Sequence, residues 1–434
     1  MALNVLVSFF TRGSVAVISL LLVPILLKLL TKEEFGTWQT ITSVISWFYF
    51  LDIGLGNGLK NLFALSLAEN DEQKAKEYLS TTYALTGIVS IGFLVLFELF
   101  FPFISWTGVF NTSKISINTF QWVIQFVFIA FGFKLFFSVL TSTLIANQQF
   151  GASTFIDFFS NILILVFTWL LSFYEIKSLF WISFVFSFSP IFIFILGHIY
   201  FYGFNSLKHF RPSFLHIKFS LSKVLFGKGL QFFFIQIAFV LLFAANNMVV
   251  SQLFGPQYVV DLSVLNKLFS IPMMGYLIVL GPFWSGFTIA YHKNDFAWIR
   301  VTIKRLLFIW SLFFAMILGM VFFFDEIAQF WLGSNRIHFS SLVILYGVFA
   351  SLSSFNNIFS YFLNGVGALR VQLIASVILS IVSIPLSVFM CKLPGLGVNG
   401  VLVSNIICLL VSAIIGPLQC YFLIYKKARG IWIN

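Results

Sequence analysis

Residues Val5 to Leu30 read VLVSFFTRGSVAVISLLLVPILLKLL, twenty-six positions with only two charges, Arg12 and Lys28. A helix needs roughly 20 apolar residues to cross the hydrocarbon of a bilayer, so this stretch reads as a membrane span. The rest of the chain repeats the pattern. Of 434 residues, 60% are hydrophobic and 9% charged, and the mean hydropathy is +1.02; a soluble domain is about 45–50% apolar and about 25% charged. No water-soluble fold buries that much apolar surface. Spans are expected near 5–30, 37–60, 79–105, 119–146, 151–172, 179–202, 223–250, 258–291, 300–324, 338–363, 369–391 and 396–424. The expectation is an all-α integral membrane protein of about twelve transmembrane helices, with no room for a sizeable soluble domain.

The basic residues sort by loop parity. Fifteen of the 25, among them Lys60, Lys74, Lys76, Lys208, Arg211, Lys293, Arg370 and Lys427, follow even-numbered spans or the last one, whereas six lie on the other side. Positive charge stays cytoplasmic, which predicts a multi-pass protein with both termini in the cytoplasm. The net charge of +11 is then a topology signal with weak attraction to anionic headgroups, and no nucleic-acid partner is implied. Residues 1–4 carry no basic region and the apolar run is too long for a cleaved signal, so the first span is expected to be retained. The sequon Asn111-Thr112-Ser113 is a chance match. Cys391, Cys408 and Cys420 lack metal or redox spacing and read as small membrane hydrophobes. The sequence asks for no metal and no cofactor.

The two halves align at an offset of about 216 to 220 residues. Phe10-Thr11-Arg12-Gly13 matches Phe226-Gly227-Lys228-Gly229; Phe35-Gly36 with Trp38 matches Phe254-Gly255 with Tyr258; and Asn147 to Gly151 matches Asn364 to Gly367. The pattern predicts an N-terminal six-helix lobe (1–202), a basic cytoplasmic linker (203–222) and a C-terminal six-helix lobe (223–434). Because six is even, the lobes share one orientation and are related by a pseudo-two-fold axis along the membrane normal. Two such lobes rocking about a buried site would give alternating access.

An ionisable side chain at mid-span costs about 2.5–3.5 kcal/mol on insertion scales, so each should face protein or a wet cavity. Arg12 lies about 10 Å into span 1 at 1.5 Å per residue, and Asp52 sits at nearly the same depth in span 2. They read either as a structural ion pair or as substrate contacts. Lys134 lies about 20 Å deep, with no acid of matching depth evident. Lys228 shares span 7 with Gln231, Asn246 and Asn247, and Lys267 precedes Pro272, Gly275, Gly281 and Pro282 in a span long enough to break. Asp157, with Asn161 one turn on, and Glu98 near the end of span 3 are candidate coupling acids. Cations outnumber acids, which favours an anionic substrate. Asp325-Glu326 reads as a solvated helix end and not as a catalytic dyad.

The segments Lys32-Glu33-Glu34-Phe35-Gly36-Thr37-Trp38, Leu51-Asp52-Ile53-Gly54-Leu55-Gly56-Asn57-Gly58-Leu59-Lys60-Asn61 and Lys74-Ala75-Lys76-Glu77-Tyr78-Leu79-Ser80-Thr81 resemble polysaccharide export proteins of the Wzx type. These are lipid-linked oligosaccharide flippases of the multidrug, oligosaccharidyl-lipid and polysaccharide (MOP) exporter superfamily. The resemblance implies a MATE/MOP-like fold in the bacterial cytoplasmic (inner) membrane. It also implies translocation of an undecaprenyl-diphosphate-linked oligosaccharide to the outer leaflet through a cationic central cavity, with a polysaccharide polymerase as a candidate partner. Asp52, Asn57 and Lys60 fall in the family's span 2 motif, and Arg12 is similar to a basic residue of its first span. Lys134, Lys228 and Lys267 rest on the burial argument alone. The competing readings are an ion-coupled drug or cation antiporter of the same superfamily and, further off, a membrane glycosyltransferase, ligase or polymerase, which would need a large outer loop. A channel is disfavoured because no span carries a ring of pore-lining charge.

Overall fold

The computed structural model describes residues 2–48, 54–226, 245–333, 340–425 and 430–432, with side chains from Phe10 onward except that of Ser285. Every regular element among the described residues is helical. In the first half these are α1 (Ala2–Leu29), α2 (Lys32–Phe48), α3 (Leu55–Ala68), α4 (Glu72–Phe100), α5 (Trp106–Phe110), α6 (Ile117–Phe137), α7 (Val139–Ala146), α8 (Phe150–Phe173) and α9 (Leu179–Gly203). The second half holds α10 (Asn246–Phe254), α11 (Val259–Leu280), α12 (Phe283–His292), α13 (Phe296–Phe322), α14 (Phe324–Leu332), α15 (Ser341–Val366), α16 (Arg370–Lys392) and α17 (Asn399–Ile424). Ten helical stretches among the described residues are long and apolar enough to cross a membrane. Of the twelve expected spans, the second falls on α2 and α3 around the undescribed 49–53, and the seventh lies largely in the undescribed 227–244.

The chain divides into two compact units, Met1–Ile237 with Gly255–Gln257 and Ala238–Phe254 with Tyr258–Asn434. In the first, α1 packs along α8, α6 along α9, and α3 against α4 and α7. Leu55, Leu59 and Phe63, one turn apart on α3, are fully buried with Leu79, Leu140, Leu144 and Leu225. Gly58 belongs to this contact: a Cβ there would run into the Leu225 backbone, so the Gly-rich span 2 motif serves close packing as well as any site. In the second unit α15 is the hub, touching α11, α12, α13 and α17, while α16 packs on α17. Tyr346 spans two of these helices by donating to the Leu262 carbonyl at 2.8 Å.

Local chemistry explains the helix ends. Thr31 and Glu34 form a reciprocal capping box at the start of α2: the Thr31 N–H donates to Glu34 Oε2 at 2.9 Å and the Glu34 N–H to Thr31 Oγ1 at 3.2 Å. Asp71 accepts from the Lys74 N–H and Asp295 from the Trp298 N–H, each at 2.9 Å. The third span of each half therefore opens on an aspartate cap. This start moves α4 seven residues ahead of the expected boundary and puts Lys74 and Lys76 on a helix, where a connection was expected. Span 4 is broken at Ser138, whose hydroxyl turns back to the Leu135 carbonyl at 2.7 Å. Span 8 stays helical through Pro272 and breaks at Gly281-Pro282. Asp325 and Glu326 are exposed in the first turn of α14, where the helix dipole favours them. All three cysteines are buried and unbridged.

Each half has a left-handed residue between its fourth and fifth spans, Gln148 (φ +57°) and Gly367 (φ +81°), but the expected match pairs Gly367 with Gly151, which lies inside α8. The second match has different local structure: Phe35-Gly36 lies inside α2, whereas Phe254-Gly255 ends α10 with Gly255 at φ +103°. The first involves Gly227 to Gly229, outside the described residues.

Candidate functional site

The sequence-predicted charges of the first unit gather around α6 and α8. Lys134 stands on α6 one turn before the Ser138 break, half-buried, and its carbonyl accepts the Ser138 N–H at 2.9 Å. It lines a cavity of about 150 Å³ with Trp38, Thr42 and Ile45 of α2, Val127, Ala130 and Phe131 of its own helix, and Phe186, Ser187 and Pro190 of α9. Trp38 meets Phe186 edge-on at 5.3 Å. Pro190 has no N–H, so the Phe186 carbonyl lacks its i+4 donor and adds a polar edge to an otherwise aromatic wall.

Asp157 on α8 is exposed. Its carboxylate lies in Coulombic range of both Lys134 and Arg12. The α1–α8 seam brings Arg12 there, because neighbouring Thr11 is buried and shares a hydroxyl hydrogen bond of 2.9 Å with Thr154, one turn before Asp157. Sequence spacing left Lys134 without an acid and set Asp52 opposite Arg12. The structure puts Asp157 in Coulombic range of both cations, and Asp52, the acid expected beside Arg12, lies outside the described residues. Asn161 does not support the Asp157 carboxylate; its Nδ2 donates to the Asp157 backbone carbonyl at 2.8 Å. Glu98 stands apart, exposed, accepting from Gln125 Nε2 at 3.1 Å.

The other predicted residues fall elsewhere. On α3, Lys60 Nζ donates to Asn57 Oδ1 at 3.2 Å, one turn back on the same helix face. Asn246 and Asn247 are half-buried at the start of α10. Lys267 is half-buried in the middle of α11 and forms no ion pair among the described residues. Lys228 and Gln231 lie outside them. No cluster of three metal-ligating side chains occurs among the described residues.

Two polar clusters were not read from sequence. Glu33 is 8% exposed, and its Oε1 accepts from Thr112 Oγ1 at 2.9 Å, the Ser113 N–H at 2.8 Å and the Lys114 N–H at 2.9 Å. Burial alone would raise its carboxyl, but these donors and the Lys114 charge outweigh that and hold it below its ordinary value. The supposed sequon is thus part of a loop wrapped on Glu33. The second cluster joins Tyr83, His198 and Tyr202: the Tyr83 hydroxyl lies 3.0 Å from His198 Nε2 and 3.1 Å from the Tyr202 hydroxyl. An imidazole inside a 25-residue apolar helix was the available signal.

No family model matches the chain, and no curated protein matches its sequence. Solved structures share its fold. An inward-facing multidrug resistance MATE family transporter of the MOP superfamily aligns with a TM-score of 0.80 at 15% identity over 98% of each chain. An outward-facing MATE family transporter aligns with 0.66 at 14% identity, over 98% of this chain and 95% of that one. A MOP superfamily transporter from Pyrococcus furiosus, described by the reverse polarity of its binding pocket, aligns with 0.63 at 14% identity, over 99% and 96%. At such identities the likeness is one of fold: the chain has the all-helical MATE-type fold along its whole length.

Proposed function

We propose that this chain is a transporter working by alternating access, and that it flips an undecaprenyl-diphosphate-linked oligosaccharide from the cytoplasmic to the outer leaflet of the bacterial inner membrane, as Wzx-type proteins do. The observation that carries the reading is the excess of intramembrane cations over acids: Arg12 and Lys134 are in Coulombic range of a single carboxylate, Asp157, and Lys267 has no ion pair among the described residues. A polyprenol tail stays in lipid, so only the diphosphate and sugars need a polar route, and lysine and arginine hold a diphosphate by charge-assisted hydrogen bonds. The Lys134 cavity has room for about five waters at ~30 Å³ each. It suits a phosphate-sized group. Both termini are assigned to the cytoplasm from the distribution of basic residues.

The test is leaflet accessibility of a labelled lipid-diphosphate oligosaccharide in proteoliposomes. Protein-dependent appearance in the opposite leaflet, with the lipid chemically unchanged, is the expected result, and Arg12→Ala and Lys134→Ala should each lower its rate at equal protein level. Normal rates in both variants would remove these two residues from the route. A drug or cation antiporter is the second reading, favoured by the accessible Asp157 carboxylate. It requires export of small cations that Asp157→Asn abolishes, and no movement of the glycolipid. Either transport result, with the lipid unchanged, speaks against a glycosyltransferase, ligase or polymerase.

A further inference from the structure

The first unit contains a second chamber, away from Lys134, of about 620 Å³. This is within the ~300–1,000 Å³ of pockets that hold a single organic ligand. Its walls are Gly87, Ile88 and Ile91 of α4, Phe136 of α6, and Ile217 and Phe219 of the segment 204–222 that follows α9. At its inner end stand Tyr83, His198 and Tyr202. Among the described residues, no Asp, Glu, Lys or Arg lines that end. The Phe194 carbonyl can only accept, so His198 Nδ1, 2.7 Å away, carries the proton and donates to it. With a neutral ring, Nε2 accepts from the Tyr83 hydroxyl 3.0 Å away, which lies 3.1 Å from that of Tyr202.

The segment 204–222 is stapled over the chamber. The Ser213 N–H donates to Ser80 Oγ at 3.1 Å, the Lys218 N–H donates to Thr81 Oγ1 at 2.9 Å, and Lys218 Nζ pairs with Glu77 at 2.6 Å. Arg211 donates to the carbonyls of Tyr202 and Gly203. Between the staples the chain turns Phe214 and Leu215 outward, each 93% exposed. Beside it, Ile88 and Ile91 of the span α4 are 57% and 64% exposed. In a membrane-spanning helix such a face meets lipid, so the chamber opens toward the bilayer. The segment that supplies Pro212, Ser213, Ile217 and Phe219 to the chamber wall also carries Lys208, Arg211 and Lys218, followed by Lys223, and positions 204–223 contain no Asp or Glu; the acid that faces it is Glu77, paired with Lys218.

We infer that this chamber is a binding site for one anionic phospholipid, with an acyl chain between α4 and the strap 204–222 and the phosphate on the strap's basic residues. Phe214 and Leu215 enter the interface beside it, an arrangement of apolar insertion plus basic charge that holds a segment to an anionic surface. The charge of the strap selects the occupant: an apolar chamber alone would take any acyl chain, and an inner end without Asp, Glu, Lys or Arg offers nothing to a second charge. The site is independent of what the protein transports.

The test uses the full chain in phosphatidylcholine vesicles containing a trace of phosphatidylglycerol with a diazirine near the tail end, or the same tail on phosphatidylcholine. Cross-linked peptides are then mapped. The expected result is labelling concentrated on residues 80–91 and 212–219 with the anionic lipid. Neutralising Lys208 or Lys223, which staple nothing, should lower its preference over phosphatidylcholine about fivefold each. Gly87→Leu and, independently, Ala84→Leu should fill the chamber and remove the labelling while the protein remains monodisperse; a Cβ at Gly87 touches only the Phe136 ring, at 3.5 Å. Uniform labelling of the apolar belt would overturn the site. Equal labelling by both lipids, or labelling by a diazirine-tailed undecaprenyl phosphate that excess phosphatidylglycerol does not displace, would overturn the occupant.

Discussion

Glu33 offers the sharpest stability test, because one oxygen atom ties the start of α2 to the loop before α6. Glu33→Ala removes the acceptor of a buried hydroxyl and of two backbone N–H groups. A hydrogen bond to a charged group contributes about 1.5–3 kcal/mol, and a buried donor left without a partner costs ~1–3 kcal/mol. Ser113 and Lys114 are exposed and their N–H groups can turn to water, whereas Thr112, 6% exposed, cannot. The three losses are therefore not additive, and a destabilisation of about 2–4 kcal/mol follows. Glu33→Gln keeps an amide oxygen where all three donors converge and loses the charge alone, so about 1 kcal/mol is expected. The folded-state carboxyl is held below its ordinary value near 4.5, so its contribution is present above that value and is lost as pH falls through the folded one. Thermal unfolding in detergent from pH 7 down to the acid range should show a constant gap between wild type and Glu33→Gln at neutral pH that closes below about 4.5. Equal stability of wild type and Glu33→Ala at pH 7, or a gap that widens on acidification, would refute the reasoning.

Gly400 lies where α17 crosses α16, and a Cβ there would run into the backbone of Met390 and Cys391. Because backbone cannot rotate away, Gly400→Ala should cost about 1–3 kcal/mol in thermal unfolding, while Gly92→Ala, which meets nothing, should cost nothing. Asn405 of α17 is 1% exposed, with neither Nδ2 nor Oδ1 partnered among the described residues. Asn405→Leu should therefore raise stability by about 1–3 kcal/mol; a lower melting temperature would mean that this amide holds something more than its neighbours.

The elements legible in the sequence are those fixed by neighbours in the chain. The Gly281-Pro282 break follows from one missing N–H and one missing Cβ, and Thr31-x-x-Glu34, three residues apart, is a capping box that the hydropathy-based start of span 2 at 37 passed over. The Gln148 and Gly367 turns recur because each must reverse the chain after a fourth span. The residue types of the site were legible for a related reason: charge at mid-span is expensive whatever surrounds it, which singles out Arg12, Lys134, Asp157 and Lys267 without any knowledge of contacts.

Their grouping is a different kind of fact. Depth along a helix, at 1.5 Å per residue, left Lys134 without an acid, because depth says nothing of which helices touch. The α1–α8 seam that carries Arg12 to Asp157 is closed by Thr11 and Thr154, 143 residues apart, and no local period encodes that distance. The same limit hid the Tyr83–His198–Tyr202 cluster, whose members join across 115 and 119 residues. There the residue type was also quiet, since a neutral histidine carries no charge to be noticed in an apolar run. A scan that weighs every hydrogen-bonding ring in a span, and not only formal charge, would have marked His198, because in lipid an unpartnered imidazole N–H is itself costly. A histidine 20 residues into a 25-residue apolar helix therefore implies a partner on another helix before any coordinates are known.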